Sequence, residues 1–143
     1  MINTGAAGAI PRNDRNRMDK HAELYYEEIR KRIGDIESIS KNTNFSVDDV
    51  RKIKEHIFFN RYDLGGLEPE RFEADYDMAL SWQRLIEGRD IQEMDMVMMK
   101  HELLEQSLML DKGLQYAQAH REAEEAYSYI KFIKELDLKE GLN

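Results

Sequence analysis

Apolar residues recur along this chain at the three- and four-residue spacings of one helical face. Leu24, Tyr25, Ile29 and Ile33 mark a first helix from about Met18, with Gly34 as its natural stop. A short helix over about Ile36 to Lys41 follows, then a turn at Asn42-Thr43-Asn44. Ser46 is a good N-cap for the next helix, with Asp48 and Asp49 in its first turn. That helix carries Val50, Ile53 and Ile57 on one face and ends near Phe59. Residues 60–73 read as a loop holding Gly65, Gly66 and Pro69, and loops of that length are often functional. Asp75 caps a helix through Met78, Ala79, Trp82, Leu85 and Ile86, stopped by Gly88. A long helix runs from about Asp90 to Leu110, closed by Gly113, and a last one from about Gln115 to Leu136. There is no alternating strand-length run and no internal repeat. The expected fold is all-α: about six helices in a compact bundle with a long C-terminal antiparallel helical hairpin.

Residues 1–17 are small, Gly-containing and without periodicity, then rich in arginine, and read as a flexible linker or tail. Residues 18–143 read as one helical domain. The chain lacks cysteine, which excludes a disulfide framework, a Cys-based zinc site and a thiol nucleophile. No apolar run approaches the roughly 20 residues needed to span a bilayer, and the N-terminus lacks the apolar region of a signal peptide. The net charge of the chain is -8, its acidic excess lies in the helical body, and it counts against tight nucleic-acid binding.

Two of the four histidines have a glutamate four residues later, His101/Glu105 and His120/Glu124, and such pairs meet on one helix face. Two imidazoles and one or two carboxylates suit zinc, iron or manganese, or a general base with an orienting group. The run His101-Glu102-x-x-Glu105 is close to His-Glu-x-x-His, but its second ligand position is a glutamate, so it is not the metalloprotease signature. A structural reading stands beside this one. Val97, His101, Leu104 and Leu108 share a face, as do Tyr116, His120, Ala123 and Tyr127, and a histidine on an apolar face is commonly a hydrogen-bonded core residue. Residues 39–50 have the form of a helix-turn-helix, but Asp48 and Asp49 would face phosphates, so a tight helical corner is expected. The methionines of the long helix read as core or as a partner-helix face. Trp82 reads as core, and Arg84 as an anion clamp or the partner of an acidic neighbour.

As a set, Lys54-Glu55-His56-Ile57-Phe58-Phe59, Arg71-Phe72, Asp75-Tyr76-Asp77-Met78-Ala79, Ser81-Trp82-Gln83-Arg84-Leu85, Lys100-His101-Glu102 with Glu105, Ala119-His120 and Tyr127-Ser128-Tyr129 resemble one group. It is a helical module at the C-terminal ends of bacterial secreted polymorphic toxins and of phage minor head (capsid morphogenesis) proteins. The resemblance covers about residues 18–136. It implies an effector module of a bacterium or phage, cytoplasmic or delivered as the C-terminal part of a larger protein. A cognate immunity protein, or a phage or secretion partner, is implied with it. His56, Arg84, His101, Glu102, Glu105 and His120 fall on its polar motif positions, whereas Glu124 falls outside its pattern. The expected function is a toxin-type hydrolytic domain, nuclease-like by analogy. His101 and His120 would be base, acid or ligands of a divalent metal, Glu105 or Glu102 would orient them, and Arg84 would bind an anionic group. The alternative is a non-catalytic helical interaction domain or phage structural adaptor, its histidines in the core. A DNA-binding helix-turn-helix protein is disfavoured by the acidic second helix.

Spacing sharpens the site. His101 lies 12 residues before Gly113 and His120 lies 7 after it. At about 1.5 Å per residue, their levels in an antiparallel hairpin differ by roughly 8 Å, while Glu105 lies almost level with His120. A Glu105–His120 contact is therefore expected. His101 is expected one turn away, too far to share an ion unless the helices tilt or a third residue bridges, with His56 or Arg84 facing the pair.

Overall fold

The structure is a computed structural model describing residues 10–142. Seven α-helices carry these residues: α1 Arg15–Lys31, α2 Asp35–Asn42, α3 Val47–Lys54, α4 Tyr76–Glu87, α5 Glu93–Leu110, α6 Tyr116–Ala126 and α7 Ile130–Lys139. α3 runs on into a π-helical turn, Glu55–Phe59. Among the described residues there is no strand, only a single antiparallel bridge between Tyr62 and Glu70 inside the long loop. The all-α expectation holds. No helix among them is long and apolar enough to cross a membrane.

The core forms where the apolar faces of α1 to α5 converge on Trp82. Tyr25, Tyr26 and Ile29 of α1, Ile39 of α2, Val50 and Ile53 of α3, Leu85 of α4, and Met98 and Met99 of α5 are buried together. Phe58 of the π turn stands edge-on between Tyr26 and Trp82, with ring centroids 4.6 and 5.2 Å away. One ion pair lies inside this core. Lys54 donates to Asp35 Oδ1 at 2.8 Å and to the Arg32 carbonyl at 3.0 Å, and Trp82 Nε1 donates to Asp35 Oδ2 at 3.2 Å. Both carboxylate oxygens are thereby satisfied, the condition for burying such a charge.

The α2–α3 segment is a tight corner. The Ser40 hydroxyl donates to the Phe45 carbonyl at 2.8 Å, and the Ser46 hydroxyl caps α3 by accepting from Asp49 N–H at 3.0 Å. Arg51 pairs with Asp48 of α3 and Glu55 of the π turn, and Lys52 with Asp48, so these two exposed cations are engaged by carboxylates of their own segment. Gly88 ends α4 with φ of 69°, where a side chain would be strained. A Cβ there would meet the Asn42 side chain at 2.7 Å, the same side chain that donates to the Leu85 and Ile86 carbonyls.

Two expectations are corrected. The last helix is two helices: Tyr127 is extended, and the Glu124 carboxylate accepts from Ser128 Oγ at 2.7 Å and from Tyr129 N–H at 3.1 Å, starting α7 afresh. The tail expected over residues 1–17 is packed from Ile10 onward, while residues 1–9 lie outside those described. Ile10 packs beside Met18, Ala22 and Tyr76, and α1 already begins at Arg15. Arg12 is 5% exposed, donates to both oxygens of Asp77 at 2.7 and 3.0 Å, and reaches Asp137 of α7 at 2.6 Å. Hydrogen bonding to Asp77 raises the guanidinium pKa against the opposing effect of burial.

Arg12→Ala leaves Asp77 buried without its partner. Loss of about 3 kcal/mol is expected, measured by urea unfolding. The same truncation at Arg51, which sits at the surface, should leave the midpoint nearly unmoved.

Candidate functional site

Glu105, on the inner face of α5, is where three segments meet. Its side chain is 2% exposed and accepts three hydrogen bonds from histidines. His56 Nε2–H donates to Oε1 at 2.7 Å; His120 Nδ1–H and His101 Nε2–H donate to Oε2 at 2.8 and 3.2 Å. Burial acts to raise the Glu105 pKa, but the bonds from His101, His120 and His56 outweigh it and hold the group below the usual carboxylate range.

Each histidine arrives by a different route. His56 is fully buried and is carried in by the π turn, a local widening that often marks functional positions. Its Nδ1 accepts from the Tyr62 hydroxyl at 2.7 Å, and that hydroxyl accepts from Asn60 Nδ2 at 3.0 Å. His101 lies one turn before Glu105 on α5, and its Nδ1–H donates to the Tyr127 carbonyl at 3.0 Å. His120 comes from α6, which packs antiparallel on α5, and its side chain is 45% exposed. The bond to Glu105 raises the His120 pKa, with burial opposing.

The expected Glu105–His120 contact is present. The expected separation of His101 from His120 is not: their ring centroids are 5.1 Å apart. Side-chain reach closes the offset that backbone rise alone implies. His101, Glu105 and His120 each offer a ligand atom within 4.8 Å of the others, as do His56, Glu102 and Glu105. Arg84 is not part of this cluster. It forms a two-pronged pair with Asp95 at 2.8 and 2.7 Å, tying α4 to the first turn of α5, and so does not serve as an anion clamp.

Glu102 has the opposite character to Glu105. It is 8% exposed, and its oxygens lie 3.5 Å from His101 Nε2 and 3.8 Å from His56 Nε2, beyond good hydrogen-bond reach. Burial, then the charges of Glu105, Asp75 and Glu124, push its pKa well above the usual range and so favour its protonated form. Both glutamates border a cavity of about 350 Å³ with His101 and His120 in its wall. Glu73, Asp75 and Glu124 add three carboxyl groups, and Phe72, Tyr116, Ile130 and Ile133 supply apolar wall. No lysine or arginine lines it.

Tyr62 is a site residue that sequence reasoning missed, and Phe72, Tyr116 and Tyr127, noted there only as motif or helix-face residues, also belong to the site. Phe72 packs 5.1 Å from His56 and 5.0 Å from Tyr116, and Tyr116 lies 5.4 Å from His120. The available signal was the pair of aromatics, Tyr62 and Phe72, in the long loop. Glu124 also proves to be close, 3.6 Å from His101 Nδ1. No family model matches the chain, and no curated protein or solved structure matches it. The resemblance to the toxin and phage-head module therefore rests on the motifs quoted above.

Because Glu102 stays neutral in the fold while an unfolded glutamate ionises near pH ~4.3, its contribution is full below that pH. It is lost as pH rises toward the raised folded value. Glu102→Gln removes that loss. In chelator-treated protein the variant should match the wild-type Tm at acid pH and exceed it at alkaline pH by about 3 °C or more. An equal difference at both ends would mean that Glu102 is ionised in the fold.

Proposed function

We propose that the chain is a hydrolytic domain of effector type in which His101, Glu102, Glu105 and His120 activate water. One observation carries this: a half-exposed histidine, His120, is held at 2.8 Å by a buried carboxylate, Glu105, at the wall of a cavity that a second buried carboxyl, Glu102, also lines. A histidine oriented by a carboxylate is the usual base for taking a proton from water. With Nδ1–H committed to Glu105, Nε2 of His120 is the nitrogen left to take it. Two acidic groups in opposite protonation states supply the complementary acid, Glu102, for a leaving group. His56 and Tyr62 hold Glu105 in place and do not line that cavity.

The lining favours a neutral or cationic substrate, such as an amide or ester, over a phosphodiester. The carboxyl groups of Glu73, Asp75 and Glu124 join Glu102 and Glu105 in a lining without lysine or arginine, which disfavours a polyanion. The nuclease analogy is therefore the less favoured branch of the proposal. The effector context, and with it an immunity or secretion partner, is supported by the motif resemblance. A second reading, a non-catalytic adaptor, is favoured by the near-complete burial of His56, His101 and Glu105, which suits a structural tie.

Expression of the chain in bacteria separates the two. Wild type should arrest growth, while His120→Ala and Glu102→Gln, folded by circular dichroism, should relieve it through a loss of activity of about 100-fold or more. Equal growth of cells making wild type or either variant supports the adaptor.

A further inference from the structure

The geometry points to a site for one divalent cation of zinc type, held by His101 Nε2, Glu105 Oε2 and His120 Nδ1, with its fourth position open to the cavity. This deepens the hydrolytic reading of the same cluster and rests on it only for what the ion does, not for whether it binds.

Distances come first. Glu105 Oε2 lies 3.2 Å from His101 Nε2 and 2.8 Å from His120 Nδ1, and all three atoms fall within 4.8 Å of one another. Tetrahedral ligands at about 2.0–2.1 Å from zinc are roughly 3.3 Å apart. The two edges that meet at Oε2 are within about half an ångström of that spacing, and the third is no longer than 4.8 Å, so an ion would fit once the rings adjust, replacing the two N–H protons that now point at Oε2. Two histidines and one glutamate, with one position left for water, form a donor set used by catalytic zinc.

The surrounding bonds hold those ligands as a metal site requires. His101 Nδ1–H donates to the Tyr127 carbonyl at 3.0 Å, which fixes the tautomer presenting Nε2 inward. His56 Nε2–H occupies Glu105 Oε1 at 2.7 Å and leaves Oε2 for the ion. His56 is itself positioned by Tyr62, so the second donor trio of His56, Glu102 and Glu105 is support for Glu105, not a second ion site. The half-exposed His120 ring gives an entry path from the cavity. A divalent charge also offsets the carboxylates of a lining that has no lysine or arginine. Imidazole donors favour zinc over magnesium.

Glu102, which follows His101 in sequence and lies 3.5 Å from its Nε2, would remain the acid beside the loaded site. His56 is then a positioning residue, acting through Glu105.

Calorimetric titration of the chelator-stripped full chain with zinc chloride tests this. One ion per chain at micromolar affinity or tighter is expected, unaffected by excess magnesium, and cobalt(II) should give the visible absorption of a tetrahedral site. His120→Ala and His101→Ala should each weaken binding at least about 100-fold, and His56→Gln about 10-fold or more. Should His101→Ala fail to fold, the half-exposed His120→Ala carries the test. Absence of stoichiometric binding, or equal affinity in folded His120→Ala, overturns the cation site. Binding without hydrolysis would instead remove the hydrolytic reading and leave the site standing; hydrolysis insensitive to chelator, with no binding, would do the reverse.

Discussion

One buried carboxylate sets the terms for the rest of this molecule. An ionised side chain as enclosed as Glu105 is tolerated only when its oxygens are fully hydrogen-bonded. Its three donors are histidines on α5, α6 and the π turn, so satisfying one charge fixes how these segments approach each other. Each demand passes outward. His56 needs a partner for Nδ1, and the long loop supplies Tyr62, pinned by its two backbone bonds with Glu70 at 2.9 Å. His101 needs an acceptor for Nδ1–H, and the chain supplies the Tyr127 carbonyl. In a continuous helix that carbonyl would accept from the fourth residue onward. The break between α6 and α7 makes it available to the site.

The two glutamates of α5 show how little separates opposite roles. Glu102 and Glu105 are one turn apart on the same helix, and both are buried. Glu105 receives every histidine N–H in reach, whereas Glu102 has neighbours at 3.5 and 3.8 Å and the charge of Glu105 beside it. Ionising one suppresses ionisation of the other. A charged and a neutral carboxyl side by side are what acid–base chemistry requires, and a cation placed between the histidines would draw on the same asymmetry.

Much of this was legible in the sequence, for identifiable reasons. Helices α1 to α5 announce themselves because their apolar residues must face one core at helical spacing, and caps such as Ser46 and Asp75 act through local bonds. The Glu105–His120 contact follows from rise per residue and a short connection. The π turn was not legible, since apolar residues over five positions look the same with either hydrogen-bond register. Nor was the break at Tyr127, which contains no glycine or proline and depends on the Glu124 carboxylate folding back onto the next helix's first N–H groups. His56 meets Glu105 across 49 residues, a distance no spacing rule spans. Arg84 was placed in the site because motif position says nothing about partner, and its partner Asp95 is eleven residues away on the next helix.

The outer wall of the cavity obeys different physics from the core. α7 contributes Ile130 and Ile133 to the lining, yet none of its residues is buried. Apolar packing is therefore not what chiefly holds it. Its first turn is held by the Glu124 carboxylate, and its last by Arg12, which bonds Asp137 through its side chain and Glu140 through its backbone N–H at 2.9 Å. Arg12 is anchored in turn by Asp77 of α4. Charge-assisted bonds at both ends replace the missing buried area, and such bonds are directional where apolar contact is not. The wall of the site thus depends on residues 10–12, a stretch whose composition reads as linker. Its function is visible only once α4 and α7 are placed on either side of one guanidinium.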